Sequence, residues 1–256
     1  MQRAVRTRSA PRRRAPLRAR LVAGTLSVAA TTVAASASSL VAAAPPVPPV
    51  SGAAAAVMRL PAPPALRYRA RDGASLAYRF FQTTPNAAAP AVVAILLHGS
   101  GGSSLNMTVL GEALAKSGVP AFALDVRGQG LSGRRGDIDY IGQQDDDLAD
   151  FVAVVRRAYP TARLVLVGHS AGGGFVLRIA GEPEGRLFSR FVLLSPVLGR
   201  LAPTNRPTAG WAHPHVGAIL MLKALNSVGV TAFNGAIAVD FRLPPGAEAL
   251  GLTRSW

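Results

Sequence analysis

Five residues, Gly168-His169-Ser170-Ala171-Gly172, constrain the fold of this 256-residue chain more than any other stretch. They follow the apolar run Leu164–Val167 and open a helix-like segment, Ala171–Ala180. A serine between an apolar strand and a helix sits on a sharp corner that pushes its side chain outward and strains its backbone. The flanking glycines leave room for the turn and for a substrate. The spacing therefore predicts a strand–turn–helix unit with Ser170 at its apex as a nucleophile. Gly168, His169 and Gly172 form the rest of the elbow. In a chain with 26 glycines the pentapeptide alone competes with a bland tight turn, and the strand before it and the helix after it decide between the two.

Length allows one full α/β core or, less readily, two small domains. The net charge of +15 suggests a nucleic-acid partner until the charges are located. Twelve of the 28 basic residues are arginines within residues 1–71, which contain no acid; the other sixteen face all thirteen acids, a balance of +3. The body is thus nearly neutral. The basic run has no interleaved aromatic residues, so no nucleic-acid partner is expected. The chain has no cysteine, which excludes disulfides and thiolate metal sites. Gly99–Gly102 lacks the Lys-Ser/Thr that completes a phosphate loop, and no ligand spacing for a metal occurs, so neither metal nor cofactor is expected.

The basicity belongs to a leader. Met1–Arg20 is arginine-rich, and Leu21–Ala44 is uncharged, with Ala35-Ser36-Ala37 as an A-x-A cleavage signal. Residues 1–44 therefore read as a signal peptide or a weak membrane anchor, weak because seven of the residues in Leu21–Ala44 are Ser or Thr. An exported or membrane-anchored protein follows, with association through residues 21–44, or a cytoplasmic one if translation starts at Met58. Residues 45–64 are Pro/Ala-rich and aperiodic, a linker.

Residues 65–196 read as alternating strands and helices. Leu66–Arg71 and Ser75–Phe81 flank Asp72-Gly73, a hairpin signal. Ala91–Leu97 is a strand covered on both faces and ends in His98-Gly99-Ser100-Gly101-Gly102. A helix follows at Leu105–Lys116, closed by Gly118. The strand Ala121–Leu124 ends in Asp125-Val126-Arg127-Gly128-Gln129-Gly130-Leu131-Ser132-Gly133. Gln144–Ala158 has acids in its first turn and Arg156 and Arg157 in its last, as the helix dipole favours. Arg163–Val167, the elbow and the strand Phe191–Leu194 complete the series. Short apolar strands alternating with helices predict a mostly parallel sheet wrapped on both faces, with ligands bound at the carboxyl ends of its strands.

Three of these landmarks in order resemble the α/β-hydrolase superfamily: Leu96-Leu97-His98-Gly99, Asp125 through Ser132, and the elbow. The nearest branch is the serine aminopeptidase, monoacylglycerol lipase and lysophospholipase-like group. The resemblance covers Leu66 to Pro196. It implies Ser170 as nucleophile toward a small-molecule ester or peptide, with an oxyanion hole formed by the backbone N–H groups of Ser100 and Ala171. His98 reads as a hydrogen-bonded turn residue, His169 as a packing or substrate-touching residue, and Asp125 and Arg127 as pins for their loop.

In this fold an acid and then a histidine follow the nucleophile. Asp240 is the most acid-like residue after Ser170, yet no histidine follows it; His213 and His215 precede it and could serve only out of order. Residues 197–256 read as a partial helical cap, with Val216–Leu225 as its helix, over about six of the usual eight strands. The expectation is a hydrolase cut short of its last two strand–helix units. The competing function is a non-catalytic fragment or pseudoenzyme of the same family.

Overall fold

The computed structural model describes residues 61–83, 90–134, 136, 138–199, 202 and 212–242. The leader, most of the linker and much of the segment after Gly199 lie outside these residues. Six strands form one sheet: β1 (Ala65–Arg69), β2 (Ser75–Phe81), β3 (Val92–Leu97), β4 (Ala121–Leu124), β5 (Arg163–His169) and β6 (Arg190–Leu194), in the order β1-β2-β4-β3-β5-β6. β2 alone runs against the others: it is antiparallel to β1 and β4, while β4, β3, β5 and β6 pair in parallel. The mostly parallel α/β sheet expected from the sequence is therefore present.

Helices cover both faces. The face covered by α2 (Gln143–Ala158) and α3 (Ala171–Gly181) holds the larger core, with Ile95, Leu97, Phe122, Leu148, Phe151, Leu164, Leu166 and Ile179 among its buried residues. The face covered by α1 (Thr108–Lys116) holds a smaller one of Phe81, Ala94, Leu96, Met107, Ala123 and Val167. Successive residues of β3 alternate between the two cores, so its sequence Val-Val-Ala-Ile-Leu-Leu carries no polar face. The start of the predicted helix at Leu105 is instead a 3-10 turn, Ser104–Met107, that leads into α1.

The two sheet edges differ in chemistry. β1 presents Arg67 and Arg69, a charged edge of the kind that discourages pairing with other chains. β6, Arg-Phe-Val-Leu-Leu, has no strand beyond it among the described residues, and Val192 and Leu194 are 40% and 37% exposed. An apolar edge of this kind templates self-association. Val192→Lys should accordingly lower the aggregated fraction in sedimentation velocity at equal concentration. An unchanged profile would place the sticky surface elsewhere.

Residues 212–242 add α4 (Val216–Ser227) between two short strands, β7 (Ala212–Pro214) and β8 (Val239–Phe241), which pair antiparallel. α4 buries none of its residues, and Leu220 is 62% exposed. Asn234 ties this region to the body by donating from Nδ2 to the Ile138 carbonyl at 3.0 Å.

Candidate active site

Parallel register brings three strand ends together. Leu97 at the end of β3 pairs with Gly168 of β5, and Leu194 at the end of β6 pairs with His169. Each strand therefore delivers its following loop to Ser170. The nucleophile candidate sits between β5 and α3 at φ 54° and ψ −117°, left-handed backbone that costs about 1–3 kcal/mol in a non-glycine residue. Ser195, at the end of β6, is the other non-glycine residue with positive φ among the described residues, at 46°.

The neighbouring loop offsets that strain. The Ser170 N–H donates to the Leu194 carbonyl at 2.9 Å, and the Ser170 carbonyl accepts from Val197 N–H at 2.9 Å and Gly174 N–H at 3.1 Å. β6 and the turn after it thus hold the elbow from one side. The glycines admit the close packing this needs. A Cβ on Gly172 would lie 2.5 Å from the His98 carbonyl oxygen and 2.6 Å from that of Leu97, so α3 could not start against β3 with any larger residue.

On the other side stands the turn after β3. A Cβ on Gly99 would be 3.0 Å from Ser170 Cβ, 3.5 Å from its Oγ and 3.4 Å from His169 Nδ1, so this turn lies directly against the nucleophile. Neither Ser100 N–H nor Ala171 N–H donates a hydrogen bond among the described residues. Both N–H groups therefore lack an acceptor among the described residues.

His98 is buried and acts as a brace. Its Nδ1 donates to the Gly99 carbonyl at 2.8 Å, and its Nε2 accepts from Val126 N–H at 3.2 Å, which joins the loops after β3 and β4. Burial pushes its pKa below the ordinary 6.5. The unfolded chain therefore takes up a proton near pH 6.5 that the folded one refuses, so stability is full above that pH and falls below it. The slope is at most about 1.4 kcal/mol per pH unit. Urea midpoints measured at pH 7.5 and 5.5 should show this drop, and His98→Gln should flatten it.

Asp125 pins the loops from the other direction. Its carboxylate accepts from Ser104 N–H at 2.6 Å and Leu131 N–H at 2.8 Å. Arg127 is nearly buried and forks onto Asp147, Nε to Oδ2 at 2.7 Å and Nη2 to Oδ1 at 2.6 Å; Nη2 also reaches Asp72 at 2.9 Å.

The remaining acid and base candidates come together, but not at Ser170. His215 Nε2 and Asp240 Oδ2 are 2.8 Å apart, and the His213 and His215 rings meet edge-on at 5.4 Å. The pair closes the β7–β8 ribbon and fixes the start of α4, where Ile219 N–H donates to the His215 carbonyl at 3.0 Å. No hydrogen bond or ion pair joins His213, His215 or Asp240 to Ser170, and Ser170 Oγ has no hydrogen-bond partner among the described residues. Sequence reading missed the ribbon, whose strands of three residues each carry no periodicity. It also missed the grip of Leu194 and Val197 on the elbow, which is made by backbone alone. Among the described residues no group of three or more His, Asp or Glu side chains could hold a metal ion, and no helix is long and apolar enough to cross a membrane.

The chain is similar to several known proteins. A monoglyceride lipase homolog of Monkeypox virus is 29% identical over 110 residues, 43% of this chain and 40% of that protein. A monoacylglycerol lipase of Mycolicibacterium smegmatis is 28% identical over 132 residues, 44% of this chain and 47% of its own length. A crystal structure of a soluble variant of the Saccharomyces cerevisiae monoglyceride lipase, bound to a substrate analog, superposes with a TM-score of 0.52 at 26% identity, covering 65% of this chain and 54% of that one. The chain spans about half the length of the relatives it matches. The family described as serine aminopeptidase, S33, matches residues 88–231, more than half of the chain. With the sheet order and the strand–helix elbow, this match places the chain in that family of α/β-hydrolases.

Proposed function

We propose that the chain is a serine hydrolase that cleaves carboxylic esters of the monoacylglycerol or lysophospholipid type through Ser170. One observation carries the reading: a serine held at φ 54° on a strand–helix corner with the turn after β3 packed against it; the N–H groups of Ser100 and Ala171, without an acceptor among the described residues, support it. Oγ would attack the ester carbonyl, and the oxygen that becomes anionic would be received by those two amides as the Oγ–C bond forms and the alcohol leaves. Water then releases the acid and restores Ser170. The relatives' names favour esters over N-terminal peptide bonds, and they favour a hydrolase over a non-catalytic fragment. The proton on Oγ needs a base, and the described residues bring none to it. The leader Leu21–Ala44 would carry such a protein to or across a membrane.

A substrate panel tests the reading. A monoacylglycerol, a lysophosphatidylcholine and p-nitrophenyl butyrate should be hydrolysed in preference to aminoacyl p-nitroanilides, and Ser170→Ala should remove the ester activity. Turnover of the anilides alone would replace the ester reading with the aminopeptidase one.

A further inference from the structure

The end of the sheet away from Ser170 carries a second site. A groove of about 400 Å³ opens between the end of α2, the start of β5 and the start of β6. Its walls include Arg156, Arg163, Arg186, Thr161 and Ser189, and no acidic side chain lines it. Arg156 is set in place by donating from Nη1 to the carbonyls of Ala162 at 2.5 Å and Pro160 at 3.3 Å. β5 runs from Arg163 to His169, so at about 3.3 Å per residue the groove lies about 20 Å from the nucleophile.

The charges along α2 divide between its two ends. Each acid in the first half of α2 has a basic partner: Asp145 with Arg178, Asp146 and Asp150 with Arg71, and Asp147 with Arg127. At the other end of the same helix, Arg156, Arg163 and Arg186 form no ion pair among the described residues. Glu182 and Glu184, the acids nearest Arg186 in sequence, form no ion pair with it among the described residues.

We propose that this groove binds a soluble ligand bearing more than one phosphate group. Planar guanidinium forks match phosphate oxygens in pairs, and the Thr161 hydroxyl adds a neutral donor, while the Ser189 hydroxyl is held by the Leu164 carbonyl at 2.9 Å. The volume exceeds what one phosphate fills and falls within the range of small-molecule sites. A bilayer headgroup fits less well, because none of the lining residues is an exposed large apolar side chain that could enter the membrane.

Calorimetric titration of the purified chain at 0.15 M salt tests this, with inorganic phosphate, tripolyphosphate and phosphatidylcholine vesicles containing phosphatidate. Tripolyphosphate should bind saturably and more tightly than phosphate. Arg163→Gln combined with Arg186→Gln should weaken it at least tenfold, with unchanged melting temperature and unchanged ester turnover at Ser170. Lys116→Gln with Lys223→Gln removes the same charge elsewhere and should change binding less than twofold. Absence of saturable binding, equal loss in the lysine variant, or binding to vesicles alone would each overturn the proposal.

Discussion

Ser170→Ala should abolish labelling by a fluorophosphonate probe, while the unaltered 256-residue chain should label slowly. On the proposed reading Oγ attacks from the corner, and the Ser100 and Ala171 amides, which have no acceptor among the described residues, receive the charge that develops on the probe's oxygen. That assistance alone is worth about 10³–10⁴-fold over water. Removing the histidine of a triad lowers turnover by about 10⁶, and Ser170 Oγ has no hydrogen-bonded histidine among the described residues. The second-order rate constant should therefore fall several decades below that of a full serine hydrolase, yet depend wholly on Ser170. His215→Ala should leave it within about twofold, because His215 is engaged with Asp240 and linked to nothing at the elbow. Rapid labelling that His215→Ala removes would show that the ribbon closes onto Ser170. Equal labelling of Ser170→Ala would move the nucleophile elsewhere.

The elbow was legible because each of its requirements leaves a residue-level mark. A corner against β3 needs Gly172, a strand buried on both faces needs an uninterrupted apolar run such as Val92–Leu97, and a helix after it needs its own periodic stripe. His98, Asp125 and Arg127 were legible as loop pins for a similar reason: a polar residue at the end of a buried strand must find partners close by. Backbone partnerships leave no such mark. The Leu194 carbonyl and Val197 N–H that hold Ser170 could belong to any residue types. The His215–Asp240 pair depends on a ribbon of three-residue strands, with 25 positions separating its members. Chain order put no histidine after Asp240 and left His213 and His215 only as out-of-order candidates. In the fold the histidine comes from upstream, and it serves the ribbon rather than the elbow. The arginine groove was invisible for a third reason. Arg156 read as a complement to the helix dipole, and only the folded chain places Arg163 and Arg186 beside it.

Asp147→Ala should be the most destabilising single change outside the elbow. Burial raises the Asp147 carboxyl above its ordinary range, while Arg127 pulls the other way; two nearly parallel bonds at 2.6 and 2.7 Å are the geometry of an ionised carboxylate on a guanidinium fork. The carboxylate in turn holds Arg127 above its ordinary pKa. Truncation at 147 leaves that cation nearly buried, with Asp72 as its remaining ion-pair partner among the described residues. Asp72 is already engaged by Ala74 N–H and by the Gln143 amide at 3.1 Å. Breaking a buried pair from one side costs about 3–5 kcal/mol. For a body of this size that lowers the melting temperature by roughly 10 °C. The loss belongs to the orphaned charge rather than to the missing carboxylate, so Arg127→Met with Asp147→Leu should recover most of it, as apolar replacements of buried pairs commonly do. Thermal unfolding of the two single variants and the double variant gives the coupling directly. A double variant as unstable as the sum of its parts would mean that the pair itself, through the loop it pins between β4 and α2, is what stabilises the fold.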